Sequence, residues 1–362
     1  MEMKYKLSIL IIPLLMCKAA LSQGNTEIRS FIKTMPAGRE TMLAVTNKYG
    51  TVQVTNWKKD SVMIRSEIKA VASGKEKMEK MFDGVKINMT ETKYQINAET
   101  SFSQNIGMVF ENFKGMTSKL ITYDSRVEIN YYINVPEYIN LKIDNKYGDV
   151  YMEDNSGELS LVVSNGSFRA SAIGKDANLT LTFCNADIGS MTSGKIEASF
   201  SEISAGNMGD VTISSISSKY EIRKAGSLKL ESRRDKFNIE NISSIRGTSY
   251  FTDFRLRDLR QEATLSTRYG NIDVMKIGQG FSSINLNSGY TDISLEFEPG
   301  TSYDLDVRHQ NSFLVITDRN AKTEKKVIND DRKEYVTTGS VGKSGGNAMV
   351  RIDATHGDIY LK

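Results

Sequence analysis

The chain has 362 residues, of which 39% are hydrophobic and 25% are charged. These fractions are ordinary for a folded protein, and they exclude a chain that is disordered throughout. The formal net charge of +3 is too small to attract nucleic acid, so we expect no nucleic-acid partner.

Residues 1–22 have the pattern of a secretory signal peptide. Two lysines precede a short apolar run at residues 7–16, and the small residues Ala20 and Ser22 come just before Gln23, where we predict cleavage. The apolar run is too short for a membrane span, which needs roughly 20 residues. We therefore predict an exported protein of the periplasm or cell surface, without a membrane span.

The chain has two cysteines, Cys17 and Cys184. Cys17 raises the alternative of a lipid anchor, but Met16 stands before it, where a lipoprotein signal has a small residue, so we do not expect lipidation. Removal of residues 1–22 leaves 44 basic and 43 acidic side chains and a single cysteine. This excludes an intrachain disulfide, and Cys184 is interpreted as a small apolar residue on a buried strand.

Residues 23–135 are predicted to form an N-terminal capping region with longer strands and one short helix. Residues 86–100 and 126–135 alternate apolar and polar side chains as strands do, and residues 101–124 between them are interpreted as an inserted loop. We expect this region to cover the bare strand edges at one end of the repeats that follow it.

The helix of this region is predicted from a capping box. Ser73 and Glu76 have the spacing at which a hydroxyl and a carboxylate each accept a hydrogen bond from a free backbone N–H group. Met78, Met81 and Phe82 then fall on one helical face. The pattern predicts a helix of about ten residues that packs on a sheet.

Residues 136–317 contain an internal repeat. Residues 47–52 (NKYGTV) return at residues 145–150 (NKYGDV) and 267–272 (TRYGNI), with looser copies between. The apolar residues that follow the successive turns are separated by 15 to 21 residues, and they are Val150, Phe168, Ile188, Ile203, Ile222, Ile239, Leu256, Ile272, Ile293 and Phe313. A period of about 18 residues is typical of a solenoid in which each coil is a few short strands.

The repeat predicts an all-β fold, a β-solenoid with an N-terminal strand-and-helix cap. Successive coils would lie about 4.8 Å apart and pair each strand with its equivalent in the next coil. The glycine of each turn would supply a left-handed backbone angle or leave room for the next coil. Residues 318–362 are predicted to be a charged and Gly-rich loop followed by a closing strand at residues 350–361.

Few residues have the pattern of a catalytic or metal site. His309 and His356 lie far apart in turns of the repeat and are interpreted as solvated turn residues, so we predict no metal. Residues 342–344 (GKS) resemble the end of a phosphate-binding loop, but Thr337 stands where that motif has its first glycine. We also predict no cofactor.

A recurring pair of a cation and an aromatic residue is the candidate binding site. The pairs share one place in the repeat, and those chosen are Lys146-Tyr147, Lys219-Tyr220, Lys236-Phe237 and Arg268-Tyr269. If they are exposed, they would form a ladder that suits flat sugars or anionic polymers. The alternative is that each ring fills the corner of its coil while the cation extends into solvent. The spacing alone does not choose between these interpretations.

Three features resemble a known family. They are the repeated turns, residues 127–136 (VEINYYINVP) leading into residues 141–145 (LKIDN), and residues 350–359 (VRIDATHGDI) after a Gly-rich loop. Over roughly residues 40–362 the chain is similar to the bacterial putative-adhesin domains, which are found in exported proteins and have no known function. The resemblance implies a right-handed β-helix-like solenoid without catalytic residues, and it transfers no site residues.

Three functions remain open at this point. The first is a non-enzymatic, adhesin-like binding protein of the bacterial envelope, whose partner is a polysaccharide or another envelope protein. The second is a β-helix polysaccharide lyase or hydrolase, for which residues of neighbouring coils could converge: Asp210, Glu221, Arg223, Arg233 and Arg234. The third is an envelope assembly or stress factor. The sequence does not predict an oligomeric state.

Overall fold

The computed structural model describes residues 25–103, 125–342 and 348–362. The fold is nearly all β, with 75% strand and 3% helix, and its 21 strands form one continuous sheet. The predicted signal peptide with Cys17, most of the predicted loop at residues 101–124, and residues 343–347 lie outside the described residues. Within the described ranges, no helix has the length and apolar character needed to cross a membrane.

The N-terminal region contains seven strands and one helix. They are β1 (Asn25–Pro36), β2 (Met42–Lys48), β3 (Val52–Asn56), β4 (Ser61–Ala72), α1 (Lys75–Asp83), β5 (Val85–Glu91), β6 (Gln95–Phe102) and β7 (Ser125–Val135). Antiparallel pairs join β1 to β4, β4 to β7 and β5 to β6. Parallel pairs then join β6 to β2 and β7 to β3. The antiparallel strands thus extend the sheet at one end.

Helix α1 packs against β4 and β5, and the predicted apolar face is confirmed because Met78, Met81 and Phe82 are buried. The predicted capping box is wrong. The helix begins at Lys75 after Gly74, which is the N-cap and makes no side-chain hydrogen bond. Ser73 therefore lies one residue too early to cap the helix, since the box needs the hydroxyl on the N-cap itself.

The middle of the chain is a stack of rungs. Its strands are β8 (Asn140–Lys146), β9 (Val150–Met152), β10 (Leu159–Ile173), β11 (Ala177–Ser199), β12 (Glu202–Ile216), β13 (Lys219–Arg233), β14 (Lys236–Ile277) and β15 (Ser283–Phe297). Each rung has a first arm and a second arm that meet at a sharp bend, which we call the corner. Both arms pair in parallel and in register with the arms of the next rung, for example Asn185 with Glu202 and Ile196 with Ile213.

The register shows a tighter period than the sequence spacing suggested. One inward column of the second arms is separated by steps of 18, 18, 17, 17 and 17 residues, and it runs through Val150, Phe168, Ala186, Ile203, Tyr220 and Phe237. Ile188 and Ile222 lie two residues further along, in the neighbouring inward column. The wider predicted spread of steps came from combining two adjacent columns, because both are apolar.

The stack begins earlier than the repeat spacing indicated. Strand β2 pairs in parallel with β8, and β3 with β9, so residues 42–56 form a rung of the same kind as the later ones. This rung lies within the segment predicted as the N-terminal cap, residues 23–135. The turn glycines of these rungs leave room for the next one, since a Cβ on Gly50 would overlap the Ile129 carbonyl and one on Gly148 the Gly50 carbonyl.

The C-terminal strands do not close an end of the stack as predicted. They are β16 (Tyr303–Gln310), β17 (Leu314–Ile316), β18 (Lys322–Asn329), β19 (Glu334–Val341), β20 (Met349–Thr355) and β21 (Ile359–Leu361). Strand β20 lies between β15 and β16 and pairs in parallel with both, so the predicted closing strand lies within the stack. The antiparallel pairs of β16 with β19 and of β19 with β18 extend this end instead. The exposed, Lys-rich strand β18 suits an edge, because charge there opposes aggregation.

Candidate functional site

The corner of each rung carries one residue in the left-handed backbone region. These residues have φ between 50° and 66°, and we call them the corner column: Tyr49, Tyr147, Asn165, Phe183, Phe200, Ser217, Arg234, Phe251, Tyr269, Tyr290, His356 and Asn311. The left-handed conformation costs a residue other than glycine roughly 1–2 kcal/mol. Its recurrence in aromatic residues therefore needs a compensating interaction.

Backbone hydrogen bonds between rungs hold the corners in this conformation. The N–H of Tyr147 donates to the Ser164 carbonyl at 2.8 Å, and the N–H of Ser217 donates to the Arg233 carbonyl at 2.9 Å. The corner side chain then projects outward beside its equivalents in the neighbouring rungs. The fold thus aligns one side chain per rung along a single edge of the stack.

The aromatic members of the corner column stack on one another. Ring centroids are 5.5 Å apart for Tyr49–Tyr147 and 5.0 Å for Phe183–Phe200. The longest run spaces its rings at 4.7, 5.1 and 4.3 Å and consists of Phe251, Tyr269, Tyr290 and His356. Such stacking contributes about 0.5–1.5 kcal/mol per pair beyond area burial, which offsets part of the backbone cost.

Two interruptions divide the corner column. Asn165 separates Tyr147 from Phe183, and Ser217 with Arg234 separates Phe200 from Phe251. We call the second interruption the corner gap. Three rung spacings make it roughly 14 Å long. Within the described residues, no ring stacks on the side of Phe200 or of Phe251 that faces the corner gap, so both ring faces are open there.

The corner gap is surrounded by cations. Arg233, Arg234, Lys236 and Arg268 are all exposed, and none of them forms an ion pair within the described ranges. Arg268 lies 5.4 Å from the Tyr269 ring centroid, and its pKa is raised chiefly by a hydrogen bond with Tyr250. Four positive charges without a carboxylate partner thus lie around two open aromatic faces.

A buried carboxylate lies directly behind the corner gap. Asp235 is only 1% exposed and accepts four hydrogen bonds. The hydroxyls of Ser215 and Ser232 each donate at 2.6 Å, and the backbone N–H groups of Ser218 and Arg233 donate at 2.7 and 3.0 Å. Because these donors come from two rungs, Asp235 fixes the backbone on which Arg233 and Arg234 stand.

The predicted ladder is divided by the structure. Tyr147 and Tyr269 belong to the corner column, with Lys146 and Arg268 beside them. Tyr220 and Phe237 are instead fully buried and stack at 4.5 Å, with Phe254 a further 5.4 Å along; we call these three residues the buried stack. Lys219 and Lys236 beside it are exposed, so the corner-filling interpretation describes these two pairs. The letters K-Y and K-F occur three residues after a corner here, but K-Y and R-Y end at the corner in the other pairs.

Residues proposed for the enzymatic alternative do not all come together. Glu221 and Arg223 line a shallow depression of about 480 Å³ on the outer face of the second arms. Asp210 lies on a first arm, paired with Ser193 and Ser227, and the two remaining arginines lie at the corner.

The depression lacks the carboxylate pair expected of a glycosidase. Glu221 bonds to Lys219 at 3.0 Å and to Asn238 at 2.9 Å. Burial acts to raise the pKa of Glu221, but these two hydrogen bonds outweigh it and hold the pKa below its ordinary value. A carboxyl group with a lowered pKa is a poor general acid at neutral pH.

The histidines and Cys184 have structural positions. His309 is buried, 2% exposed, so its interpretation as a solvated residue is wrong, and burial lowers its pKa. His356 is a half-exposed corner residue stacked on Tyr290. Cys184 is buried as predicted, and burial raises the pKa of its thiol to about 12. Within the described ranges, no three His, Cys, Asp or Glu side chains cluster as metal ligands would.

Sequence reasoning missed most of the corner column. Phe183, Phe200, Phe251 and Tyr290 are each about half exposed, but none follows a lysine or arginine. The signal that could have found several of them lies one residue later. A buried small or polar side chain follows the corner in consecutive rungs, namely Cys184, Ser201, Ser218, Asp235 and Thr252.

Comparison with known proteins gives limited information. No family model and no curated protein matches the chain. Among solved structures, it is similar to "a putative cell adhesion protein" from Clostridium sporogenes, with 13% identity and a TM-score of 0.18 over 93% of this chain and 99% of that one. It is also similar to "a putative adhesin" from Parabacteroides merdae, with 9% identity and a TM-score of 0.25 over 76% and 94%. At these scores neither likeness contributes to the functional argument.

Proposed function

We propose that this chain is an exported, adhesin-like binding protein of the bacterial envelope that acts by binding and not by catalysis. Its rungs would form a right-handed β-solenoid, and its corner column would hold a polysaccharide along one edge of the stack. Right-handed winding is supported by the parallel pairing of successive arms, since parallel crossover connections are right-handed in about 98% of cases.

The observation that carries the proposal is the exposure of the corner rings. Phe183, Phe200, Phe251 and Tyr290 are 56%, 54%, 51% and 48% exposed, and they lie along one edge of the stack. Large apolar side chains aligned on a surface, unlike single scattered ones, mark an interaction site. The rings are also fixed by stacking and by the backbone, so little side-chain entropy is lost on binding.

The open ring faces favour a sugar polymer. Rings within a run present only their edges to solvent, because their faces are covered by neighbouring rings. The faces of Phe200 and Phe251 at the corner gap are the exceptions, and a flat sugar face can stack on each. Extended polymers also suit a solenoid, which exposes a long regular surface. The polar depression near Glu221 offers no comparable aromatic surface, so we do not favour the enzymatic alternative.

The test uses a double variant that keeps the backbone. Phe200→Asn with Phe251→Asn removes both open faces, while asparagine tolerates the left-handed conformation and already stands at Asn165 and Asn311. Loss of two ring contacts should weaken polysaccharide binding about tenfold. The measurement is affinity electrophoresis and calorimetry with a panel of neutral and acidic polysaccharides.

A matched control is Tyr94→Asn, which removes an aromatic side chain of similar exposure, 53%, outside the corner column. It should bind like the unaltered protein. The proposal is wrong if no polysaccharide binds, or if the double variant and Tyr94→Asn bind equally well.

A further inference from the structure

The geometry points to an acidic polysaccharide, a polymer of uronate or sulfated sugars, as the ligand of the corner gap. This inference rests on the proposed function and specifies its ligand class. Sugar rings would lie on the open faces of Phe200 and Phe251, and their carboxylate or sulfate groups would pair with Arg233 and Arg234 between them.

The first argument is the charge of the corner gap. Two consecutive residues of one rung, Arg233 and Arg234, are exposed and make no ion pair within the described part of the chain. Most charged neighbours on the same face are paired, for example Lys219 with Glu221 at 3.0 Å and Arg169 with Asp187 at 3.4 Å. Guanidinium groups without a protein partner are free to bind carboxylate or sulfate oxygens in a bidentate manner.

The second argument is preorganisation. The left-handed backbone of Arg234 is fixed by its N–H bond to the Tyr250 carbonyl at 2.8 Å. The N–H of Arg233 is fixed by the buried carboxylate of Asp235 at 3.0 Å. Both guanidinium groups therefore stand on a rigid backbone between two fixed rings, which limits the entropy lost when an anion binds.

The third argument is the contrast with the other interruption of the corner column. Asn165 also lies between two aromatic corner residues, Tyr147 and Phe183. The cation beside it, Lys146, is 3.8 Å from Asp144, and no unpaired arginine accompanies it. Positive charge is therefore specific to the corner gap and does not accompany every interruption.

The experiment compares two polymers that differ only in charge. Polygalacturonate and its fully methyl-esterified form have the same sugar rings, and only the first carries free carboxylates. The full chain should bind polygalacturonate at least tenfold more tightly than the ester at low salt. The difference should shrink as salt rises to a few hundred millimolar, because exposed charges are screened within about 10 Å at 0.1 M.

The matched variants remove two positive charges at different places on the same part of the stack. Arg233→Gln with Arg234→Asn removes the cations of the corner gap and keeps a residue that accepts the left-handed backbone. Lys224→Gln with Lys229→Gln removes two exposed lysines that make no ion pair within the described ranges. The arginine variant should lose about tenfold in affinity for polygalacturonate, and the lysine variant should change less than twofold.

Failures of the two proposals are distinguishable. Equal binding of both polymers, or equal losses in the arginine and lysine variants, would overturn the acidic-ligand inference. If Phe200→Asn with Phe251→Asn still weakened binding, the proposed polysaccharide function would stand. The comparison of the two polymers needs only the unaltered protein, so the inference stays testable even if a variant does not fold.

Discussion

The corner column and the buried stack place the same residue types in opposite environments. Phe251 in the corner column is 51% exposed, whereas Phe237 in the buried stack is fully enclosed. Both rings stack on a neighbour at similar distances, 4.7 Å for Phe251 on Tyr269 and 4.5 Å for Phe237 on Tyr220. Ring stacking is thus a product of in-register rungs, and the backbone conformation decides whether the stack supports the core or forms a surface.

The difference teaches how a repeat can separate stability from binding. In the buried stack, the free energy comes from removing rings from water. In the corner column, the rings stay half exposed and their residues have a costly backbone conformation, so they contribute little net stability. We therefore expect substitutions in the two columns to have very different effects on unfolding, and the following predictions test that contrast.

The largest effect is expected in the buried stack. Phe237→Ala should lower the free energy of unfolding by about 3–5 kcal/mol, because it leaves a cavity between Tyr220 and Phe254. Urea denaturation followed by circular dichroism measures this change. Phe251→Asn is the control at the corner and should change the free energy by less than about 1 kcal/mol. Equal losses in the two variants would contradict the division into two columns.

An intermediate effect is expected behind the corner gap. Asp235→Ala leaves the backbone N–H groups of Ser218 and Arg233 without their acceptor, and each unsatisfied buried donor costs about 1–3 kcal/mol. The free energy of unfolding should fall by about 2–4 kcal/mol. Asp235→Ser should lose less, because a serine in the preceding rung, Ser218, already accepts a bond from Ser201. A serine variant as unstable as the alanine variant would show that the carboxylate is needed for another reason.

The smallest effect is expected from the backbone of the corner itself. Tyr290→Ala and Tyr290→Asn both remove stacking on Tyr269 and His356, but asparagine tolerates φ of +54° better than alanine. The asparagine variant should be more stable by about 1 kcal/mol, a difference that denaturant titration resolves. If alanine were equally stable, the left-handed corner would impose no measurable strain.

Much of the fold follows from the sequence. Alternating residues predict strands, and the period of about 18 residues predicts the stacking, because a single rung has too little apolar surface to fold alone. The buried helix face of Met78, Met81 and Phe82 also follows from spacing. The position of β20 between β15 and β16 does not follow, because its inward residues would match either neighbour equally well.

The candidate site is less predictable because it depends on register. Tyr147 and Tyr220 both follow a lysine, but one is at the corner and the other is three residues beyond one. A shift of an odd number of residues exchanges the two faces of a strand, and the left-handed corner adds a further change of direction. The corner gap depends on Ser217 and Arg234, whose letters carry no motif, and on rings of other rungs.

The position of β20 also has a consequence for the order of assembly. The rungs from β2 to β15 can add one after another as the chain emerges, since each pairs with a segment about 17 to 21 residues earlier. Strand β16 has no such option, because its parallel neighbour β20 begins only at Met349. The last rungs must therefore wait for the chain to return and insert, which makes this end of the molecule the natural late step of folding.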